Sequence, residues 1–252
     1  MMRRLLPCLL MAALVVAPSR TDQDDDPISG PDVLARMRAA YAGCTSYQGE
    51  GTFAVTMSQG DHPLALWSHG TFSTRFARGR AFHVTSRYAI GDGDEKLSSV
   101  MQSTSDRNRL VNFLDVKGGP KVYEYGSLEY MVEAATGATG LAASPSQYVA
   151  SLLLPGEFAY MGLAGVKEVV AEAIEPVGGH FCIRLRGKTR QYDEFVIWVD
   201  KDTWMLRRLT REVTLEPTVE PDGSALRIRT TLEWKGEFDV AIEDSEFAFP
   251  WK

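Results

Sequence analysis

The spacing of apolar positions changes period more than once along the chain. In "PDVLARMRAAYAG", Val33, Leu34, Met37, Ala40 and Tyr41 fall on one stripe, Pro31 suits a first turn and Gly43 an end, so the stretch predicts a helix. From Thr45 the period becomes two. "TFAVTM" puts Phe53, Val55 and Met57 on one face, and "LWSHGTFSTRF", "RAFHVTSRYAI", "KLSSVMQST" and "NRLVNFLDV" follow at hairpin spacing. After "KVYEY" the helical period returns in "SLEYMVEAATG", where Leu128, Met131, Val132 and Ala135 share a face, and "SPSQYVASLLLPGE" predicts a second short helix. Strands resume in "VKEVVAEAIEPV", "HFCIRLRGK", "EFVIWVD", "WMLRRLTREVTL", "ALRIRTTLEWKG" and "EFDVAI". Helix, about five strands, two helices and about six strands predict an α+β, mainly antiparallel β fold, curled into a barrel or split into a sandwich to protect its edges.

"FVIWVDKDTWMLRRL", Phe195 to Leu209, reads as a hairpin whose first strand is apolar on both faces, so something must cover each. Its neighbours are two-faced: Phe181, Ile183 and Leu185 alternate with Cys182, Arg184 and Arg186, and Leu226 and Ile228 with Arg227 and Arg229. The arginine face is expected to be a solvated exterior.

The start of the chain changes the picture. Residues 1–19, "MMRRLLPCLLMAALVVAPS", have the basic start, short apolar stretch and small-residue end of a secretory signal peptide, too short for a permanent membrane anchor. Residues 20–30 predict a disordered acidic linker, and 31–252 a single domain. At 252 residues, 44% hydrophobic and 24% charged, the composition is that of an ordinary globular protein. Losing Arg3 and Arg4 takes the formal net charge from −6 to −8, an acidic balance that disfavours nucleic acid as a partner. Export also places Cys44 and Cys182 in an oxidising compartment, where they either form a disulfide or remain separate buried thiols.

Chemistry is sparse. His62, His69, His83 and His180 have no metal-ligand spacing, there is no CxxC, GxSxG or P-loop, and "GDGDEK" at Gly91 to Lys96 reads as a hairpin turn. No catalytic set, cofactor or metal site is expected.

The first helix with "CTSYQGEGTF", the strand series, the helical insertion, "WVDKDTWMLRRL" and the closing "TLEWKGEFDVAIEDSEFAF" together resemble the LolA/LolB-type lipoprotein-sorting superfamily, particularly its periplasmic LolA-like branch, over Pro31 to Phe249. The resemblance implies an incompletely closed antiparallel barrel around an N-terminal helix, with lid-like helices and a cavity for acyl chains. The helices would then cover one face of "FVIWV" while the other lines the interior. It further implies a lipid or lipoprotein acyl chain as ligand, a membrane-associated exporter or receptor as partner, and a monomer. Phe53, Val55, Leu128, Met131, Val132, Phe195, Ile197 and Val199 are the candidate lining, or else a filled core. Gly137 and Gly140 would give the first inserted helix a soft exit suited to a lid, or else the same stripe holds it as a fixed helix packed permanently on the sheet. A sensor of envelope stress, or another protein-interaction module of the same fold, is the alternative to a carrier. An enzyme is a third reading that the residues support least.

Overall fold

The structure, a computed structural model, describes residues 29–60, 62, 65–91, 97–105, 107–113, 121–138, 145–158, 162–188, 194–215 and 224–249. The expected signal peptide, most of the expected linker, Gly140 and positions 92–96 of the "GDGDEK" turn lie outside them. Helix α1 (Gly30–Gly43) begins where the side chain of Ser29 accepts a hydrogen bond from the Asp32 amide, one position ahead of the expected start. Six strands follow: β1 (Ser46–Gln59), β2 (Ala65–Ala77), β3 (Ala81–Ile90), β4 (Leu97–Thr104), β5 (Asn108–Phe113) and β6 (Lys121–Tyr125). Then come α2 (Leu128–Ala138) and α3 (Pro145–Leu153). The chain returns to the sheet in β7 (Lys167–Val177), β8 (His180–Lys188), β9 (Glu194–Asp200), β10 (Leu206–Leu215) and β11 (Leu226–Phe238).

All eleven strands form one antiparallel sheet in the order β6-β5-β4-β3-β2-β1-β11-β10-β9-β8-β7. Consecutive strands pair as hairpins, and the long-range closure is β1 with β11, in register from Tyr47↔Phe238 to Gln59↔Leu226. "KVYEY" is a strand in its own right, whereas "EFDVAI" is no separate one: β11 runs through Gly236 to Phe238 and stops where Asp239 turns to a left-handed φ of 56°.

The sheet curls without closing. Curling brings neighbouring backbones close on the inner face, and glycine is what permits it: a Cβ on Gly51 would collide with the Glu233 carbonyl oxygen, and one on Gly70 with that of Arg87. Aromatic rings fill the space, Phe72 lying over Gly51 and Phe53 over Gly70. Between the free edges β6 and β7 the helices form a bridge: α1 packs on β7 and α3, α3 on α2, and α2 on β4, β5 and β6. Bulges and Pro176 blunt the β7 edge. This is the incompletely closed, mainly antiparallel barrel with an N-terminal helix and covering helices that the LolA-like resemblance implied. One large apolar cluster fills the space between sheet and helices, including Val33, Met37 and Tyr41 of α1, Leu128, Met131 and Val132 of α2, and Phe53, Leu209 and Leu232 of the sheet.

Candidate functional site

The inner face reads in rows across the strands. One row joins Gly70, Phe53, Leu232, Leu209, Ile197 and Leu185 and lies deep in the core. The next, toward the end where β1 finishes, joins Ser68, Val55, Thr230, Arg211, Phe195 and Gly187. This row is mixed: Ser68 and Thr230 are buried hydroxyls, Arg211 is half-buried, and the Ser68 hydroxyl has no hydrogen-bond partner among the described residues. Beyond it stands a collar of inner-facing apolar side chains, Met57, Val213 and Leu226, all half-buried, with Trp67 at the β2 bulge. Ile90 (47% exposed) and Leu215 (44%) stand at the same end of this face, each only partly covered.

All eight candidate lining residues are buried, none more than 4% exposed. Val55 and Phe195 sit in the mixed row directly beneath the collar, and Phe53 and Ile197 one row deeper. Val199 lies deeper still, opposite Leu206. Leu128, Met131 and Val132 form the α2 stripe against the sheet.

The "FVIWV" strand is covered differently from expectation. Phe195, Ile197 and Val199 share the inner face, where sheet and helices meet, so the helices and the interior are on one side. The opposite face is closed by side chains alone. Val196 and Trp198 pack with Cys182 and Val177, and the Trp198 ring lies beneath the guanidinium groups of Arg184 (5.7 Å) and Arg208 (5.4 Å). The Trp198 indole N–H donates to Glu175.

At the end of that outer cluster Asp200 is buried and holds three elements together. Its carboxylate accepts from Arg207 at 2.8 and 3.1 Å and from the amides of Asp202 and Thr203, and lies 2.9 Å from His180 Nδ1. Burial opposes its ionisation, but Arg207 and the two amides outweigh that, and the carboxyl stays below its ordinary range. Cys182 lies beside it, its thiol pushed up to about 11 by burial and by the Asp200 charge, which makes it a poor nucleophile. Cys44 and Cys182, the two cysteines among the described residues, are free: Cys44 belongs to the inner cluster, its thiol donating to the Tyr41 carbonyl, and Cys182 to the outer one, so the disulfide weighed from the sequence is not formed. Among the described residues no group of three or more His, Cys, Asp or Glu is placed to hold a metal ion.

The outer face also carries an open groove of about 1130 Å³. Thr52, Glu233 and Lys235 line one side, and His180, Met205 and Arg207 the other. Away from it, the closing "DSEFAF" straps the outer face of β2 to β5. Arg75 donates to the Glu246 carboxylate at 3.0 Å, His83 Nδ1 lies 3.0 Å from the Glu246 carbonyl, Gln102 donates to the Phe247 carbonyl, and Arg109 stacks 4.4 Å from the Phe249 ring centre.

The chain matches no family model and no curated protein. Among solved structures it is similar to the lipoprotein LppX of Mycobacterium tuberculosis, with a TM-score of 0.41 and 15% identity, covering 84% of this chain and 98% of that one. A LolA superfamily protein of Nitrosomonas europaea gives 0.30 and 10%, covering 88% and 99%. The MucA/MucB complex of Pseudomonas aeruginosa gives 0.35 and 14%, covering 87% of this chain and 60% of the matched one.

Pattern reasoning located the inner stripes but missed the collar and the Asp200 cluster. The signal for the second was present in the alternation itself, which puts Cys182, Arg184, Val196 and Trp198 on one outward face.

Proposed function

We propose that this chain is an exported, non-catalytic binding protein that takes up an apolar chain, such as a lipid or lipoprotein acyl chain, between the curled sheet and its covering helices. The observation that carries this reading is the collar: Ile90 and Leu215 stand on the inner face yet remain nearly half exposed, in line with half-buried Met57, Val213 and Leu226. Large apolar side chains directed inward but open to water are what a ligand-receiving mouth requires. Val55 and Phe195 would form the floor. Phe53, Leu128, Met131, Val132, Ile197 and Val199 would be reached by a chain that displaces α2. The basic, apolar, small-residue layout of residues 1–19 supports delivery to the periplasm or beyond, and a monomer that meets a membrane-associated exporter or receptor suits that role.

The reading is tested by the uptake of a fluorescent apolar probe by the mature chain. Uptake that falls in Leu215→Asp and Ile90→Asp, with melting temperature retained, supports it; uptake unchanged by both contradicts it.

A second reading, a sensor or interaction module, is favoured by the outer groove, which is bounded by charges of both signs, Glu50, Glu233, Lys235 and Arg207. A partner recovered with lipid-free protein, and lost when Lys235 and Glu237 are reversed in charge, would support it.

A further inference from the structure

Strand β11 has a stretch of edge in the middle of the sheet. On one side it pairs with β1 as far as Phe238, but on the other its last pair with β10 is Glu233 with Arg208. The direction of its backbone groups follows from its end: the Asp239 amide donates to the Ser46 carbonyl, and successive residues of an antiparallel strand turn their N–H and C=O to opposite neighbours. Glu233, Lys235 and Glu237 therefore bond to β1. Gly236 and Phe238 turn the other way, toward the outer groove, and no described residue donates to the Gly236 carbonyl or accepts from its amide. The side chains alternate with the same period. Lys235 and Glu237 are exposed on the outer face, while Gly236 lies against the Tyr47 ring on the inner face, where a Cβ would meet the Tyr47 hydroxyl at 2.9 Å. Across the groove, of about 1130 Å³, stand His180, Met205 and Arg207. The β7 edge is blunted by bulges and Pro176, whereas this stretch carries neither a bulge nor a proline.

We propose that this edge binds an extended peptide segment of a partner protein as an added antiparallel strand, running in the direction of β10 and carrying a basic, a small and an acidic residue in succession. This rests on the interaction-module reading, names the form of its partner and is independent of lipid uptake. A peptide backbone suits Gly236 because one residue of an added strand meets both its donor and its acceptor. The register then sets the side chains. An antiparallel strand in that order places its basic residue opposite Glu237 and its acidic residue opposite Lys235, where directly opposed charges attract; the reverse order sets like charges together. The residue between them points to the inner face, which the rings of Tyr41, Tyr47 and Phe238 already occupy, so it must be small. Lys235, Gly236 and Glu237 themselves have this order. A second copy, however, would bring its β1 against the wall of His180, Met205 and Arg207, which a single strand does not.

The test measures fluorescence anisotropy of a labelled, end-capped peptide, Thr-Thr-Lys-Ala-Glu-Thr-Thr, with the purified protein, beside the reversed sequence Thr-Thr-Glu-Ala-Lys-Thr-Thr. The first is expected to bind about fivefold more tightly or better. N-methylation of its alanine, whose amide would face Gly236, should weaken binding about tenfold, while N-methylation of its lysine, whose amide would face away, should leave it within about twofold. In Lys235→Glu combined with Glu237→Lys, both exposed positions, the preference between the two peptides should invert with melting temperature retained. An N-methyl alanine without effect, with the preference still inverting, overturns strand addition and leaves an interaction site made by side chains standing. Failure of both peptides to bind at up to about 1 mM overturns the proposal, and recovery of a partner with lipid-free protein then decides the interaction reading separately. A protein that sediments as a dimer and dissociates in Lys235→Glu also overturns it, by placing a second copy on the edge.

Discussion

The Tyr41 hydroxyl, at the end of α1, accepts a hydrogen bond from the backbone N–H of Leu206 at 3.2 Å. β10 leaves β11 at this point: their last paired residues are Arg208 and Glu233, and β11 continues beside β1 alone to Phe238. Tyr41 fills the opening, its ring 4.8 Å edge-on from Phe238 and 5.5 Å from Tyr47. The helix therefore supplies the acceptor that the sheet no longer offers Leu206. Burial pushes the phenol well above its ordinary pKa, so it stays neutral and keeps its acceptor role throughout the physiological range.

Tyr41→Phe keeps the ring and removes the acceptor. A buried amide left unsatisfied costs about 1–3 kcal/mol, whereas Tyr41→Ala, which also empties the aromatic cluster, should cost about 3–5 kcal/mol. Urea unfolding of the two variants checks the order. Equal losses would mean that packing alone accounts for Tyr41.

Gly51→Ala should be among the most damaging single-methyl changes in the chain. The added Cβ meets a backbone carbonyl, that of Glu233, and the ring of Phe72, and the carbonyl cannot swing away as a flexible side chain would. Overpacking of this kind costs about 1–3 kcal/mol or more. Gly43→Ala, with nothing within 4 Å of the new Cβ, is the matched control and should be near neutral. Melting temperatures of the pair decide it.

How much of this was legible beforehand differs by element. The α1 stripe gave the helix to within one residue because Val33, Leu34, Met37 and Tyr41 all turn to one partner surface. Strands β8 and β11 were legible because their two faces differ in kind, and β9 because Phe195 to Val199 is an unbroken run of residues that favour a strand. The run "EWKGEFDVAI" was divided at Gly236, since glycine commonly marks a turn; here it sits mid-strand beside the Tyr47 ring, which requires a residue without a side chain. The cover over Val196 and Trp198 was missed because arginine was read as solvated, while its stem and planar head can also roof an aromatic ring. Arg211 and Thr230 carried no local signal at all, for only the register of β9, β10 and β11 aligns them with Ser68 beneath the collar.

The C-terminal strap should weaken in mild acid. His83 is buried on the outer face, with Nδ1 against the Glu246 carbonyl and Nε2 buried without a partner among the described residues; Arg75 lies nearby. Burial, against the partial support of the Glu246 carbonyl, lowers its pKa below the ordinary 6.5. A histidine depressed in the folded state binds its proton more readily when unfolded. Stability is therefore complete above about pH 6.5 and declines as the pH falls from there toward the depressed folded value. Urea midpoints from pH 7.5 to pH 5 should fall in the wild type and fall less in His83→Gln. The same slope in both would exclude His83 as the source.

Native mass spectrometry of the protein purified from cells without detergent reads directly whether the interior beneath the collar receives an apolar chain. The expected result is a population heavier than the protein alone by the mass of a lipid, returned to the bare mass by organic extraction and depleted in Leu215→Asp. A single bare mass in every preparation, together with no lipid in the extract, would contradict it.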